Sequence, residues 1–378
     1  MIDLKDYFEP IKKDSKNNQL AEGTFGKACI FKNPFGEGQS FNIALVGIPE
    51  TRNSASGAFE TGLDQIRSYF YQLAEIPRLN VVDLGNLKQG NSVKDTYASA
   101  KDVVEELLNR KIIPIIIGGS QDITVPLVRA FATNNIETEI TFIDSRLDND
   151  DQEFHSQSYI NQIDAEFAGT VLISLIGYQS YFVNANAMRA AYDKNWNLHR
   201  LGAVRNNFNQ VEPIFRDSDM VSFDVSAIRQ NDCQGASFSS PNGFYAEEAC
   251  QLSNLAGLSD KLSLFSIFEH QLTKDIQGQS AHLIAQIIWH FIVGVSQRKN
   301  DYPNKKLESY KKIYVKLEKI DSDLVFYENE LNKRFWVEIP SGKNNKTKVI
   351  SCSENDYQKA CNNEIPDRIW QNVSRYLK

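Results

Sequence analysis

Apolar runs of strand length recur along most of this chain with helical stretches between them, and that alternation limits the fold more than any other feature. Residues 41–49, 80–84, 112–119, 139–144, 170–176, 220–224 and 262–268 read as strands, with a further one near 199–204. Helices are expected over about 63–74, 93–110 and 123–133. Runs of this kind, apolar on nearly every residue, belong to parallel strands covered on both faces. The expected fold is therefore α/β: a three-layer αβα arrangement with a mostly parallel sheet, right-handed crossovers and helices on both faces. In such sheets a ligand sits at the carboxyl ends of the strands.

Three segments with chemical content fall at those ends. They are Ile117-Gly118-Gly119-Ser120-Gln121-Asp122, then Phe142-Ile143-Asp144-Ser145-Arg146-Leu147-Asp148-Asn149-Asp150, and Val221-Ser222-Phe223-Asp224-Val225-Ser226. In order and context they resemble the G-G-D-H-S, D-A-H-x-D and S-x-D-x-D motifs of the ureohydrolase family of arginases, agmatinases and formimidoylglutamases. The resemblance extends to Gly47-Ile48-Pro49-Glu50, Ser56-Gly57-Ala58, Gly62-Leu63-Asp64-Gln65-Ile66-Arg67 and Val82-Asp83-Leu84-Gly85, so that it covers roughly residues 40–297. Leu63 stands where the family has a proline.

What the resemblance implies is a pair of Mn²⁺ ions sharing a bridging water, which attacks a guanidino or formimino carbon. Carried over residue by residue, three ligand positions keep an aspartate: Asp144, Asp148 and Asp224. Three do not, since histidine is expected at Gln121 and at Arg146, and aspartate at Ser226. A guanidinium cannot lose a proton to bind Mn²⁺, but it pairs well with carboxylates. Arg146 is therefore expected to replace the cation in an ion pair with Asp144 or Asp224, and no cofactor is expected. Its removal would then cost on the order of 3–5 kcal/mol, because buried carboxylates would be left unpaired. The alternative is an arginine turned to solvent beside an ordinary loop cluster of aspartates.

Composition excludes several other functions. A chain of 378 residues with 42% hydrophobic content can bury a sizeable core. The net charge of −7 and the lack of a dominant basic stripe argue against nucleic acid. The first residues carry acids and no apolar core, so a signal peptide is not expected. The most apolar helical run, 283–295, is too short to span a bilayer. Five cysteines, Cys29, Cys233, Cys250, Cys352 and Cys361, have no C-x-x-C spacing, which points to reduced thiols and a cytoplasmic location. No G-x-S-x-G elbow and no phosphate-binding P-loop is present.

The chain divides into an N-terminal segment of residues 1–40, the α/β domain of 41–297 and an extension of 298–378. The extension holds 17 Lys and Arg against 12 Asp and Glu, a net of +5 that leaves −12 for residues 1–297. A lysine-rich stretch over 305–319 and a pair of alternating strands around 324–327 and 334–339 make it a small α+β addition. A basic tail on an acidic body either docks in cis or binds an acidic partner, and a wrap over the core's own surface is the simpler reading.

Other residues have paired readings. His155 is a relic of proton transfer or a solvated loop histidine. Glu269 ends a strand where the family glutamate holds the substrate's nitrogens, or is simply solvated. Glu248 is expected to sit in a helix first turn, where a carboxylate favours the dipole. Tyr178, Tyr181 and Phe182 line a pocket or pack in the core. Three functions remain: a ureohydrolase relative that binds or scaffolds after losing its metal pair, with a protein or a small amidine-like ligand as partner, a hydrolase of linear amidine C–N bonds using one metal, and a metal-free small-molecule sensor that keeps the pocket and Glu269. The resemblance also allows a homo-oligomer.

Overall fold

The computed structural model describes residues 4–9, 20–29, 40–132, 137–149, 153–303, 307–318, 323–341 and 347–376. The N-terminal part of the expected 305–319 stretch, Asp150 and the rest of the N-terminal segment lie partly or wholly outside them.

Eight strands form the central sheet: β1 (Ile43–Ile48), β2 (Val81–Asn86), β3 (Ile113–Gly118), β4 (Thr138–Ile143), β5 (Val171–Tyr178), β6 (Asn197–Arg200), β7 (Met220–Asp224) and β8 (Leu264–Phe268). Their order is β2-β1-β3-β8-β7-β4-β5-β6, and every pairing is parallel. Strands β1, β4, β7 and β8 are buried along their whole length, and β3 and β5 along all but their first residues, as runs of Ile, Val, Leu and Phe must be when helices cover both faces. One apolar cluster lies on each side of the sheet. The first is built around Phe70, Phe223, Phe265 and the helix Gln279–Ser296; the second around Phe142, Tyr159 and the helices Val93–Asn109 and Thr124–Ala132.

The strand expected near 199–204 starts earlier and ends sooner. Asn197–Arg200 pairs with β5, and the chain then turns into a helix, Leu201–Asn206. Leu201 and Val204, three residues apart, pack on the core cluster from that helix, which is helical rather than alternating spacing.

The extension holds a second, antiparallel sheet in the order β12-β11-β10-β9, made of β9 (Lys311–Lys316), β10 (Asp323–Asn329), β11 (Arg334–Pro340) and β12 (Thr347–Cys352). Four strands thus replace the expected pair, and part of the lysine-rich stretch is an edge strand with Ile313 and Val315 turned to the small core. Lysines on an exposed edge discourage pairing with another chain. Helices Glu354–Cys361 and Asp367–Tyr376 complete it, closing a separate cluster around Phe326, Val337 and Ile369. The extension docks on the main domain: Arg216 donates to the carbonyls of Phe335 and Cys352, and Arg368 pairs with Asp217. No helix among the described residues is long and apolar enough to cross a membrane.

Candidate functional site

Four neighbouring strands, β3, β8, β7 and β4, end on the same edge of the sheet. They deliver Gln121, Glu269, Asp224 and Asp144 side by side, since a parallel sheet puts all its carboxyl ends together. Register fixes the alignment, with Phe223 opposite Ile143 and Asp224 opposite Phe268. Gly118 and Gly119 make the β3 turn because a side chain there would collide with Phe268 or with the Glu50 carbonyl. Two non-glycine residues hold left-handed backbone here, Asp148 at φ 40° and Glu269 at φ 69°. Strain of this kind survives only where the surroundings dictate it, and it concentrates at sites.

Asp144, Asp148 and Asp224 are all buried and present carboxylate oxygens within 4.8 Å of one another. Asp144 accepts from the Arg146 backbone N–H at 2.9 Å through one oxygen, and its Oδ2 is buried with no partner among the described residues. Asp224 accepts from the Ser226 N–H at 2.6 Å. Burial, followed by the Asp148 and Asp224 charges, pushes the Asp144 carboxyl far above the usual range. Burial pushes Asp224 up to about 6 against its hydrogen bonds to Ser226. Glu269 is raised in the same way, by burial and then by the Asp224 charge; one oxygen accepts from the Gln121 N–H at 2.8 Å and the other is unpartnered.

The expected ion pair of Arg146 with Asp144 or Asp224 is absent. The guanidinium lies over the Phe182 ring at 4.2 Å and near Phe238 at 5.7 Å, and its Nε has no acceptor among the described residues. Two aromatic faces draw the weakly hydrated planar cation away from the acids, so that it acts on Asp224 only through space. Nor does the arginine turn freely to solvent, as the alternative held.

The other residues expected at the site have simple positions. Gln121 donates from Nε2 to Ser222 at 2.9 Å and to the Tyr159 hydroxyl at 3.4 Å, while its Oε1 is buried without a partner. The Ser226 hydroxyl accepts from the Phe238 N–H at 3.3 Å. His155 closes its own turn, its Nδ1 accepting from the Gln157 N–H at 3.0 Å, and makes no described contact with the acids. Glu248 accepts from the Tyr245 N–H at 2.8 Å as the third residue of a helix, the structural role expected of it. Tyr178 is core, Tyr181 is exposed, and Phe182 is the one that reaches the site.

Reasoning from sequence missed Tyr159, Ser222 and Phe238. Burial and then the three aspartates hold the Tyr159 hydroxyl far above its ordinary value, so it stays a neutral hydrogen-bonding group against the cluster. Ser222 lies inside the third motif and faces the site because alternate residues of a strand share a face. Phe238 carries no signal in the sequence.

Hard carboxylate oxygens suit one hard divalent cation, and the donor set for one is Asp144, Asp148 and Asp224. Nearby buried oxygen donors are the Gln121 amide and Glu269; no imidazole stands with them among the described residues.

The sheet order and the acids at its carboxyl edge define a class, three-layer αβα proteins built around a carboxylate site. A family model named Arginase family matches residues 41–294, and the chain belongs to that family. Among solved structures it resembles a Trypanosoma cruzi formiminoglutamase with Mn²⁺ at TM-score 0.63 and 21% identity, over 68% of this chain and 95% of that one. Bacillus subtilis formimidoylglutamase matches at 0.63 and 16%, over 70% and 90%. An agmatine ureohydrolase of Thermoplasma volcanium matches at 0.60 and 19%, over 75% and 98%. No curated protein sequence matches.

Proposed function

We propose that this arginase-family chain, related to formimidoylglutamase, has lost the paired-manganese site and works by binding rather than by hydrolysis. The observation that carries this reading is the donor set. Gln121, Arg146 and Ser226 stand at three of the six motif positions for ligands, and Arg146 puts a permanent positive charge beside the cluster. A like charge opposes cation binding.

The approach of three carboxylates within 4.8 Å favours a second reading, a hydrolase of linear amidines with one cation held by Asp144, Asp148 and Asp224. A cation bound there would supply a water of lowered pKa. In that case Glu269 is placed to orient a cationic substrate, and the neutral Tyr159 hydroxyl to donate a hydrogen bond.

Elemental analysis of the chain purified with excess Mn²⁺, together with assays for urea and formamide release, separates the readings. The binding protein should hold no stoichiometric Mn²⁺ and release neither product. One ion per chain with turnover would establish the second reading, and two would sink both. The triple variant Gln121→His, Arg146→His and Ser226→Asp should recover Mn²⁺ before turnover, since residues around the ligands also tune a site.

A further inference from the structure

Beside the acid cluster lies a cavity of about 240 Å³, walled by Arg146, Asp148, Asn149, Gln157, Phe182 and Asn184 among others. That is the volume of about eight liquid waters, enough for a small organic ion. The Arg146 Nε is buried without an acceptor, and the guanidinium makes no ion pair among the described residues. Asn184 caps the helix Ala185–Asp193 by accepting from the Ala187 N–H at 2.8 Å, which leaves its amide N–H groups as donors. That helix points its positive end at the same wall. The one acid among the described residues of the wall, Asp148, has a carboxylate oxygen drawn to within 4.8 Å of Asp144 and Asp224.

We propose that this cavity binds a small monocarboxylate, whose two oxygens meet the N–H edge of Arg146 and whose nearer oxygen also accepts from Asn184. The choice of anion follows from the stacking. Phe182 covers the guanidinium at 4.2 Å with Phe238 nearby at 5.7 Å, which leaves its planar N–H edge for a ligand, and that edge matches a planar two-oxygen anion. A tetrahedral dianion such as phosphate would bring a second charge against Asp148. The proposal deepens the binding reading above by naming the ligand's class, and it rests on that reading only for a site open to ligand.

Calorimetric titration of the full chain, stripped with a chelator, tests it with sodium propionate as the probe, and with propionamide and inorganic phosphate as controls. Propionate should bind saturably, propionamide should not bind, and phosphate should bind more weakly. Arg146→Gln and Asn184→Asp should each weaken propionate at least about tenfold. Asn184→Asp keeps the helix-capping oxygen while replacing the N–H donor with a negative charge, so it decides the matter if Arg146→Gln misfolds. The proposal is overturned by no saturable propionate binding, by equal binding in both variants, or by phosphate binding as tightly. It is also overturned if propionate binds only after Mn²⁺ is added, which would place the carboxylate on the metal. Manganese bound at the aspartates with metal-free propionate binding intact would instead defeat the loss-of-metal reading and leave this one standing.

Discussion

Strands β4 and β7 lie side by side and carry acids at both ends, but only one end pairs them with cations. At their amino ends stand Glu139 and Asp219, the Asp219 N–H donating to the Glu139 carbonyl and the Glu139 N–H to the Asp219 carboxylate, with Asp217 beside them. Lysines and arginines surround this group. Lys261 reaches Asp219 at 2.9 Å, Lys348 reaches Glu139 at 3.3 Å, and Arg368 pairs with Asp217. Burial works against the charged form of Glu139, yet Lys261, Lys348 and Arg375 hold its pKa down to about 2. At the carboxyl ends stand Asp144 and Asp224, with no ion-pair partner among the described residues; burial raises their pKa values, as it also raises those of Asp217 and Asp219, so that Glu139 alone is held down.

What differs between the two ends is the covering segment. Lys348, Arg368 and Arg375 all come from the C-terminal extension, which closes one end of the strands and does not reach the acids at the other. The basic excess of the tail is used in cis on the acidic body.

The largest test of this contrast is to remove the covering segment. Deleting residues 305–378 should abolish soluble, cooperative folding, because it strips three cations from Glu139 and Asp217 and uncovers Leu172 and the helix Glu212–Asp217. Soluble yield and a thermal melt read the outcome; a stable truncated core would show that the tail is a separate module and end the comparison.

A smaller effect should come from the open end. With the folded pKa of Asp224 near 6 and the unfolded value near 4, the folded state holds the extra proton between those limits. Stability contributed by that proton is present below about pH 4 and is lost as pH rises through about 6. Asp144 and Glu269 are raised too and act in the same sense, whereas the Glu139 contribution is lost only as pH falls from about 4 towards 2. Asp224→Asn should therefore stabilise the metal-free protein at pH 7 by about 2 kcal/mol, since a tenfold change in proton affinity corresponds to roughly 1.4 kcal/mol and the amide keeps only part of the carboxylate's hydrogen bonding. It should also flatten the decline in thermal midpoint between about pH 4 and 6. A loss of stability at pH 7 would mean that the charged form is neutralised by something in the site.

The smallest effect is expected from Arg146→Ala. With no ion pair to break, the change removes a ring contact of about 1 kcal/mol and a weak influence on Asp224. Urea denaturation should place it within about 1 kcal/mol of the parent, far below the 3–5 kcal/mol of a severed buried pair. A loss of that larger size would restore the pairing expected from the sequence.

The sequence by itself determined the alternation of strands and helices, the placing of Asp144, Asp224, Gln121 and Glu269 at strand ends, and the family. Strand runs apolar on both faces admit few arrangements, and parallel strands bring their carboxyl ends to one edge. Tertiary structure alone decided the partners of long side chains. The contacts of Arg146 were not legible because the rings that hold it, Phe182 and Phe238, are 36 and 92 residues away in the chain, and nothing local to Asp144 announces them. The four-stranded tail and its grip on Glu139 and Asp217 were hidden for the same reason, since the energy of a buried charge depends on which distant cation arrives beside it.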